Sequence, residues 1–235
     1  MSSSNGEREF KINIAIDGPA GAGKSTVARK VAKELSYVYV DTGAMYRAVT
    51  WDMLNRGIDA EDETAVLERM GAIDIELVPG DEGQRVWLSG TDVTDEIRSL
   101  AVNRTVSRYA QIEGLRAELS AAQRQMALRK GVVMDGRDIG TTVLPDAEVK
   151  IFMTATVEER ARRRFRELPE SDEAITLEQL ESEIAQRDEL DRNREVSPLV
   201  CAADATVLDT TNMTIDEVAE AIVRQADLKL SRTGQ

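Results

Sequence analysis

The stretch "NIAIDGPAGAGKSTVARKVA", residues 13 to 32, sets four glycine or proline residues within six positions directly behind an apolar run. The run reads as a buried strand over Phe10 to Ile16. Beyond the break, Val27, Val31 and Leu35 fall on one face of a helix expected over Lys24 to Ser36, and a second short strand follows over Tyr37 to Val40. At the junction Gly18, Gly23, Lys24 and Ser25 satisfy the P-loop pattern G-x-x-x-x-G-K-[ST], in the strand-to-helix context that gives it mechanical meaning. Glycines open backbone conformations closed to other residues, so a loop of Gly18, Pro19, Ala20, Gly21, Ala22, Gly23, Lys24, Ser25 and Thr26 can turn its amides on phosphate oxygens at a positive helix end. Lys24 is expected to reach the terminal phosphates of a nucleotide and the Ser25 hydroxyl to take a place on Mg²⁺. A turn that merely reversed the chain would need neither a lysine nor a hydroxyl there.

The remaining composition narrows the classes. With 235 residues, the chain has room for one large domain or a domain with inserted modules. A net charge of -13, from 43 acidic and 30 basic residues, repels nucleic acid and anionic membranes, so an anionic ligand must be held by a local positive site. One cysteine, Cys201, forms no internal disulfide, "MSSSNGEREF" has no apolar core for a signal peptide, and the cytosol is the natural compartment. No apolar run approaches the roughly 18 residues of a membrane span. The absence of histidine excludes His-based triads, His-ligated zinc and imidazole bases.

Strand-like runs recur at "GVVMD" near Val132, "VKIFMT" near Ile151 and "ATVLDT" near Val207, between helical stretches, which argues for an α/β fold with a parallel sheet flanked by helices. Two regions interrupt it. Residues Ile73 to Val93 read as an antiparallel hairpin around a Pro/Gly/Asp turn, and Thr156 to Arg194 is almost purely helical and highly charged. Capping-box spacings mark helix starts at Thr156 with Glu159, Thr176 with Gln179 and Thr214 with Glu217. Without a repeat or a linker, these are insertions into a single domain over residues 10–230, behind a disordered segment 1–9.

A P-loop admits a small-molecule kinase, a GTPase-type switch or a mechanical ATPase. The chain has no N-K-x-D and no D-x-x-G for a GTPase, and "LSGTD" at Leu88 is not the transporter-type L-S-G-G-Q, which leaves a kinase. Transfer between two anions needs cations aimed at both. Arginines keep company with carboxylates in "DTGAMYR" (Asp41, Thr42, Arg47), "MDGRDIGT" (Asp135, Arg137, Asp138) and "RDELDRNR" (Arg187, Asp191, Arg194). Each group alone reads as readily as a surface salt-bridge network; their conjunction with the P-loop does not. Asp135, closing a strand, is the second expected Mg²⁺ residue. Met45 and Tyr46 read as packing residues. The basic run "RARRRFR" has no interleaved aromatic beyond Phe165 and lies in an acidic chain, so it reads as a helix whose Arg160, Arg163 and Arg164 swing onto nucleotide phosphates rather than as a nucleic-acid patch.

The segments "DGPAGAGKST", "DTGAMYRA", "VMDGRDIGT", "PDAEVKIFMTAT" and "RDELDRNR", in that order from about Ile12 to Asp227, resemble the bacterial cytidylate kinases. The resemblance implies a nucleoside monophosphate kinase fold with an inserted β-containing monophosphate-binding subdomain, about 57–100, and a helical lid, about 157–194. It implies ATP as donor, CMP or dCMP as acceptor and a monomer. By position, Arg47, Arg137 and Arg194 hold the acceptor phosphate with Thr42 nearby, Arg187 and Asp191 address the sugar, and Ser107, Arg116 and Asp138 read the cytosine. Lys24, Arg47, Arg137 and Arg194 are then the catalytic side chains. Asp138 suits the exocyclic amine of cytosine, where uracil offers a carbonyl. Thr42 stands where many members have serine, and Leu190 where the last segment can be basic. A kinase of another monophosphate and a GTP-dependent switch are the rival functions.

Overall fold

The computed structural model describes residues 10–80, 83–167 and 175–233; the expected disorder of residues 1–9 concerns a segment outside them. The chain runs β1 (Asn13–Asp17), α1 (Lys24–Leu35), β2 (Val38–Asp41), α2 (Thr42–Arg56), α3 (Glu63–Met70), β3 (Ile75–Gly80), β4 (Gly83–Leu88) and β5 (Thr91–Asp92). It continues through α4 (Leu100–Tyr109), α5 (Glu113–Ala127), β6 (Val132–Gly136), β7 (Val149–Thr154), α6 (Val157–Arg166), α7 (Leu177–Asn193), β8 (Thr206–Asp209) and α8 (Ile215–Thr233). The main sheet has the order β2-β6-β1-β7-β8, and all its pairs are parallel. Every residue of β1 and β6 is buried, as expected of parallel strands covered on both faces. On one face Ile14, Ile16, Val133 and Ile151 pack with Val27 and Val31 of α1 and Ile222 of α8; on the other, Val40 and Met134 meet Ala127 and Ile139.

The first strand begins later than its apolar pattern suggests. Phe10 is 53% exposed and the amide of Ile12 donates to the Tyr37 hydroxyl at 3.2 Å, so the ladder starts at Asn13, opposite Val132, and runs on to Asp17, opposite Gly136. The carboxyl ends of β1, β2 and β6 therefore lie side by side, the edge at which open α/β sheets bind ligands.

The first interruption is a three-stranded antiparallel sheet, β3-β4-β5, pinned from Ile75 opposite Leu88 to Gly80 opposite Gly83. Leu77 packs on the core beneath the main sheet, and one side chain hydrogen-bonds to its edge. The Gln84 amide accepts from the Asp41 N–H at 3.0 Å and donates to the Tyr39 carbonyl at 2.8 Å on edge strand β2. The second interruption is the pair α6 and α7, packed around Ala161, Leu180 and Ile184. Thr176 and Gln179 form a full capping box, as do Thr214 and Glu217. At Thr156 only half forms: its hydroxyl accepts from the Glu159 amide, while its own N–H goes to Thr211 and the Glu159 carboxylate to Arg163. Among the described residues no helix is long and apolar enough to cross a membrane.

Candidate active site

Gly23 caps α1 in the left-handed region at φ 83°, so the first amides of the helix face the hollow of the loop. At Gly18 (φ 147°) a Cβ would stand 2.0 Å from the Met153 carbonyl oxygen, so no larger residue fits. Lys24, 5% exposed, donates from Nζ to the Pro19 carbonyl at 2.7 Å. Burial, with Arg137 beside it, holds its ammonium well below the ordinary lysine range, against the pull of Asp135 and Asp17. Such a lysine has charge to gain from an arriving phosphate.

The Ser25 hydroxyl donates to one oxygen of Asp135 at 2.9 Å and the Tyr39 hydroxyl to the other at 2.8 Å. Burial and the nearby Asp41 push the Asp135 carboxyl up to about 6, with Lys24 opposing. A desolvated carboxylate of this kind favours a positive charge placed beside it.

The arginines of α6 do not hang free. Arg160, 2% exposed, donates to the carbonyls of Ala155 at 3.0 Å and Ala20 at 2.9 Å and to Asp188 on α7 at 2.6 Å. Arg163 donates to Glu159 at 3.0 Å and to the Thr210 carbonyl at 2.6 Å. Both therefore brace the P-loop and the segment after β8 through carbonyl groups, instead of standing off to swing. Arg164 is the more open of the three, 3.9 Å from Glu167.

All nine side chains expected at the acceptor line one cleft: Thr42, Arg47, Ser107, Arg116, Arg137, Asp138, Arg187, Asp191 and Arg194. Tyr46, read from sequence as a packing residue, lines it too. Asp41 stands behind one wall: it accepts from the Ala44 amide at 2.8 Å, capping α2, and from Arg47, which lines the cleft, at 2.9 Å. Thr42 donates to the Asp135 carbonyl at 2.7 Å, joining the ends of β2 and β6. α7 supplies the opposite wall, where Asp191 accepts from Arg137 at 2.9 Å. At the far end the Asp138 carboxylate lies between Arg116 at 2.7 Å and Arg194 at 3.4 Å, and the Arg116 guanidinium stands 5.3 Å from the Tyr46 ring centroid.

Cations outweigh carboxylates in the middle of this cleft. Burial and Arg137, with Arg47 and Arg164 adding, lower Arg187 to about 10 against the pull of Asp191. Burial raises the Asp191 carboxyl, but Arg137, Arg187 and Arg194 outweigh it and hold the group below its usual range. The Nε atoms of Arg47, Arg116 and Arg187 are buried without a hydrogen-bond partner. Buried guanidinium groups with unspent donors and too little counter-charge form a site waiting for an anion.

Five further residues hold this arrangement and were not singled out in the sequence. Tyr39 fixes Asp135, Gln84 and Asp188 join elements, Asp17 accepts from the amides of Ile139 and Gly140, and Thr210 receives Arg163. Asp17 carried a signal, a carboxylate ending a mostly apolar strand, and Asp188 lay within the quoted "RDELDRNR".

A P-loop and a guanidinium-lined cleft facing one another along the carboxyl edge of a parallel sheet define a P-loop kinase of small acceptors. Sequence comparison narrows that class: the cytidylate kinase family model matches residues 14–228. The chain is 53% identical over 226 residues to a cytidylate kinase of Bacillus licheniformis, covering 95% of this chain and 100% of that protein. It is 55% identical over 215 residues to a cytidylate kinase of Geobacillus thermodenitrificans, with 92% and 96% covered. The chain belongs to the cytidylate kinase family. A crystal structure of an uncharacterized protein from Eubacterium ventriosum shares the fold, with TM-score 0.50 and 12% identity over 93% of this chain and 99% of that one.

Proposed function

We propose that the chain transfers the γ-phosphoryl group of ATP to CMP or dCMP, giving ADP and CDP or dCDP. The observation that carries this reading is the surplus of positive charge around Arg187, with Arg47 and Arg137 beside it, at the carboxyl edge of the sheet that bears the P-loop. ATP lies on the loop from Gly18 to Thr26 with Lys24 at its terminal phosphates. The acceptor phosphate sits among Arg47, Arg137 and Arg194, with Thr42 nearby; Arg187 adds its charge there and addresses the sugar with Asp191. Ser107, Arg116 and Asp138 face the base, Asp138 accepting from the exocyclic amine of cytosine.

The acceptor oxygen is already anionic, so the residues need supply no strong base. Their work is to align the two nucleotides and to neutralise charge spread over the transferring group. Arg160, Arg163 and Arg164 belong to the donor side, the first two by bracing the loop. The helical pair, about 157–194, acts as a lid that excludes water, a competing acceptor, and residues of about 57–100 form the acceptor-side subdomain. Among the described residues no three acidic, cysteine or histidine side chains cluster as a metal cage. The Ser25 hydroxyl and the Asp135 carboxylate, 2.9 Å apart beside the P-loop, suit Mg²⁺, which takes one or two carboxylates and completes its shell with substrate phosphates. Ser25 and Asp135 would hold it, and when bound it neutralises phosphate oxygens. We further propose a cytoplasmic monomer that does not act on nucleic acid or membranes, in keeping with the charge of -13.

A coupled assay of ADP release, with ATP, Mg²⁺ and CMP, dCMP, UMP or AMP in turn, tests the reading. CMP and dCMP are expected to turn over fastest. Folded protein that releases no ADP with either, or that prefers UMP or AMP, overturns it.

A further inference from the structure

Asp17 ends β1, and the residue after it opens the P-loop, yet both of its oxygens accept from amides outside that loop. One accepts from the Ile139 amide at 2.8 Å and the other from the Gly140 amide at 2.7 Å. These are the two residues directly after Asp138, and they begin a single π-type turn, Ile139–Val143. The other side of the turn is closed by the Asp138 carbonyl, which accepts from the amides of Thr142 at 2.8 Å and Val143 at 3.2 Å. The leading amides of such a turn have no partner within it, and Asp17 supplies one for both. The approach is close: a Cβ on Gly140 would stand 3.3 Å from the Asp17 carboxylate and 3.2 Å from the Lys150 stem.

We propose that Asp17 is a positioning residue for acceptor selection: by holding the amides of Ile139 and Gly140 it fixes the backbone from which Asp138 projects into the cleft. The proposal rests on the reading of Asp138 as the residue that meets the acceptor base. It makes one strand end serve both substrates, since the same residue leads into the donor loop and sets the base reader of the acceptor.

The carboxyl of Asp17 is raised to about 6, by burial first, with the Asp138 charge adding and the two amides and Lys24 opposing. The other titratable groups beside it are the Cys201 thiol, which burial and then the Asp17 charge raise, and Lys150, whose ammonium is paired with Asp204 at 2.8 Å. Protonation puts an O–H where an amide expects an acceptor, so the turn loses one of its two anchors as pH falls through about 6.

The experiment measures the ratio of kcat/KM for CMP over UMP in three proteins. Titration of the acceptor phosphate is common to both nucleotides and cancels in the ratio. Asp17→Asn is expected to lower the ratio about tenfold, the equivalent of one charge-assisted hydrogen bond, with the KM for ATP changed less than about twofold. In the wild type the ratio is expected to fall several-fold from about pH 7.5 to about pH 5.5, and in Asp17→Asn to stay flat. Asp138→Ala is the control: if it leaves the ratio unchanged, the role of Asp138 as base reader falls. If Asp138→Ala collapses the ratio but Asp17→Asn does not, or if the wild-type ratio is flat with pH, the positioning role of Asp17 falls alone. Should Asp17→Asn not fold, the wild-type pH profile decides.

Discussion

Replacing Asp188 by alanine tests how α6 and α7 are joined beside the P-loop. Asp188 and Arg160 meet at 2.6 Å with side-chain exposures of 5% and 3%, so the pair lies out of reach of solvent screening. Breaking such a pair from one side leaves a buried charge and costs about 3 to 5 kcal/mol. Arg160 keeps two other acceptors, the carbonyls of Ala155 and Ala20, which puts Asp188→Ala at the lower end. About 3 kcal/mol corresponds to a fall in melting temperature of about 6 to 12 °C for a chain of this size. Scanning calorimetry or urea unfolding measures it. Asp188→Asn removes the charge but keeps an oxygen that can accept from Arg160, so it is expected to lose less than Asp188→Ala. An alanine variant within about 1 kcal/mol of the wild type, or an asparagine variant no better than the alanine one, would refute the reasoning.

Three other outcomes are expected. Lys24→Ala should lower turnover on the order of 10²-fold or more, read in the coupled ADP assay, because a preorganised buried cation at the transferring group is lost. Arg187→Met should leave the ligand-free melting temperature unchanged or raise it, by relieving repulsion with Arg137 and Arg47, while weakening CMP binding at least about tenfold by calorimetric titration. Asp17 gives a stability signature whose sign is fixed: its carboxyl is raised from 3.8 to about 6, so the folded chain holds that proton more tightly than the unfolded one. Its contribution to stability therefore falls as pH rises from about 4 to about 6 and is level above. Urea unfolding should find the wild type losing ground to Asp17→Asn over that window.

What the sequence made legible follows from the range of the interactions. The P-loop is a local device: its glycines, Lys24 and Ser25 act within one turn of chain, so pattern alone locates them. Seven of the acceptor residues were legible because they stand in Arg/Asp groups at strand ends and on one helix, whereas Ser107 and Arg116 were named only by the family resemblance; the cleft gathers all nine. The residues that hold the site together were not. Asp17 reaches amides 122 and 123 positions away, Arg160 reaches a carbonyl 140 away, and Gln84 reaches one 45 away. Nothing in their neighbourhoods fixes those partners; the strand order does, and periodicity does not reveal it. The same limit applies to Arg160 and Arg163, whose basic run suggested mobile arms. Their carbonyl acceptors come from the P-loop and the segment after β8, which only tertiary packing brings near.

The contact of Gln84 with β2 has a consequence for life in a crowded solution. β2 is an outer strand, and an outer strand offers its unpaired N–H and C=O groups as a template for another polypeptide. The Gln84 side chain copies a peptide group and occupies one of each, at Asp41 and Tyr39, without adding a strand that could recruit the next. One neutral amide thus seals that border of the sheet, and its loss would turn a finished margin into a seed for self-association.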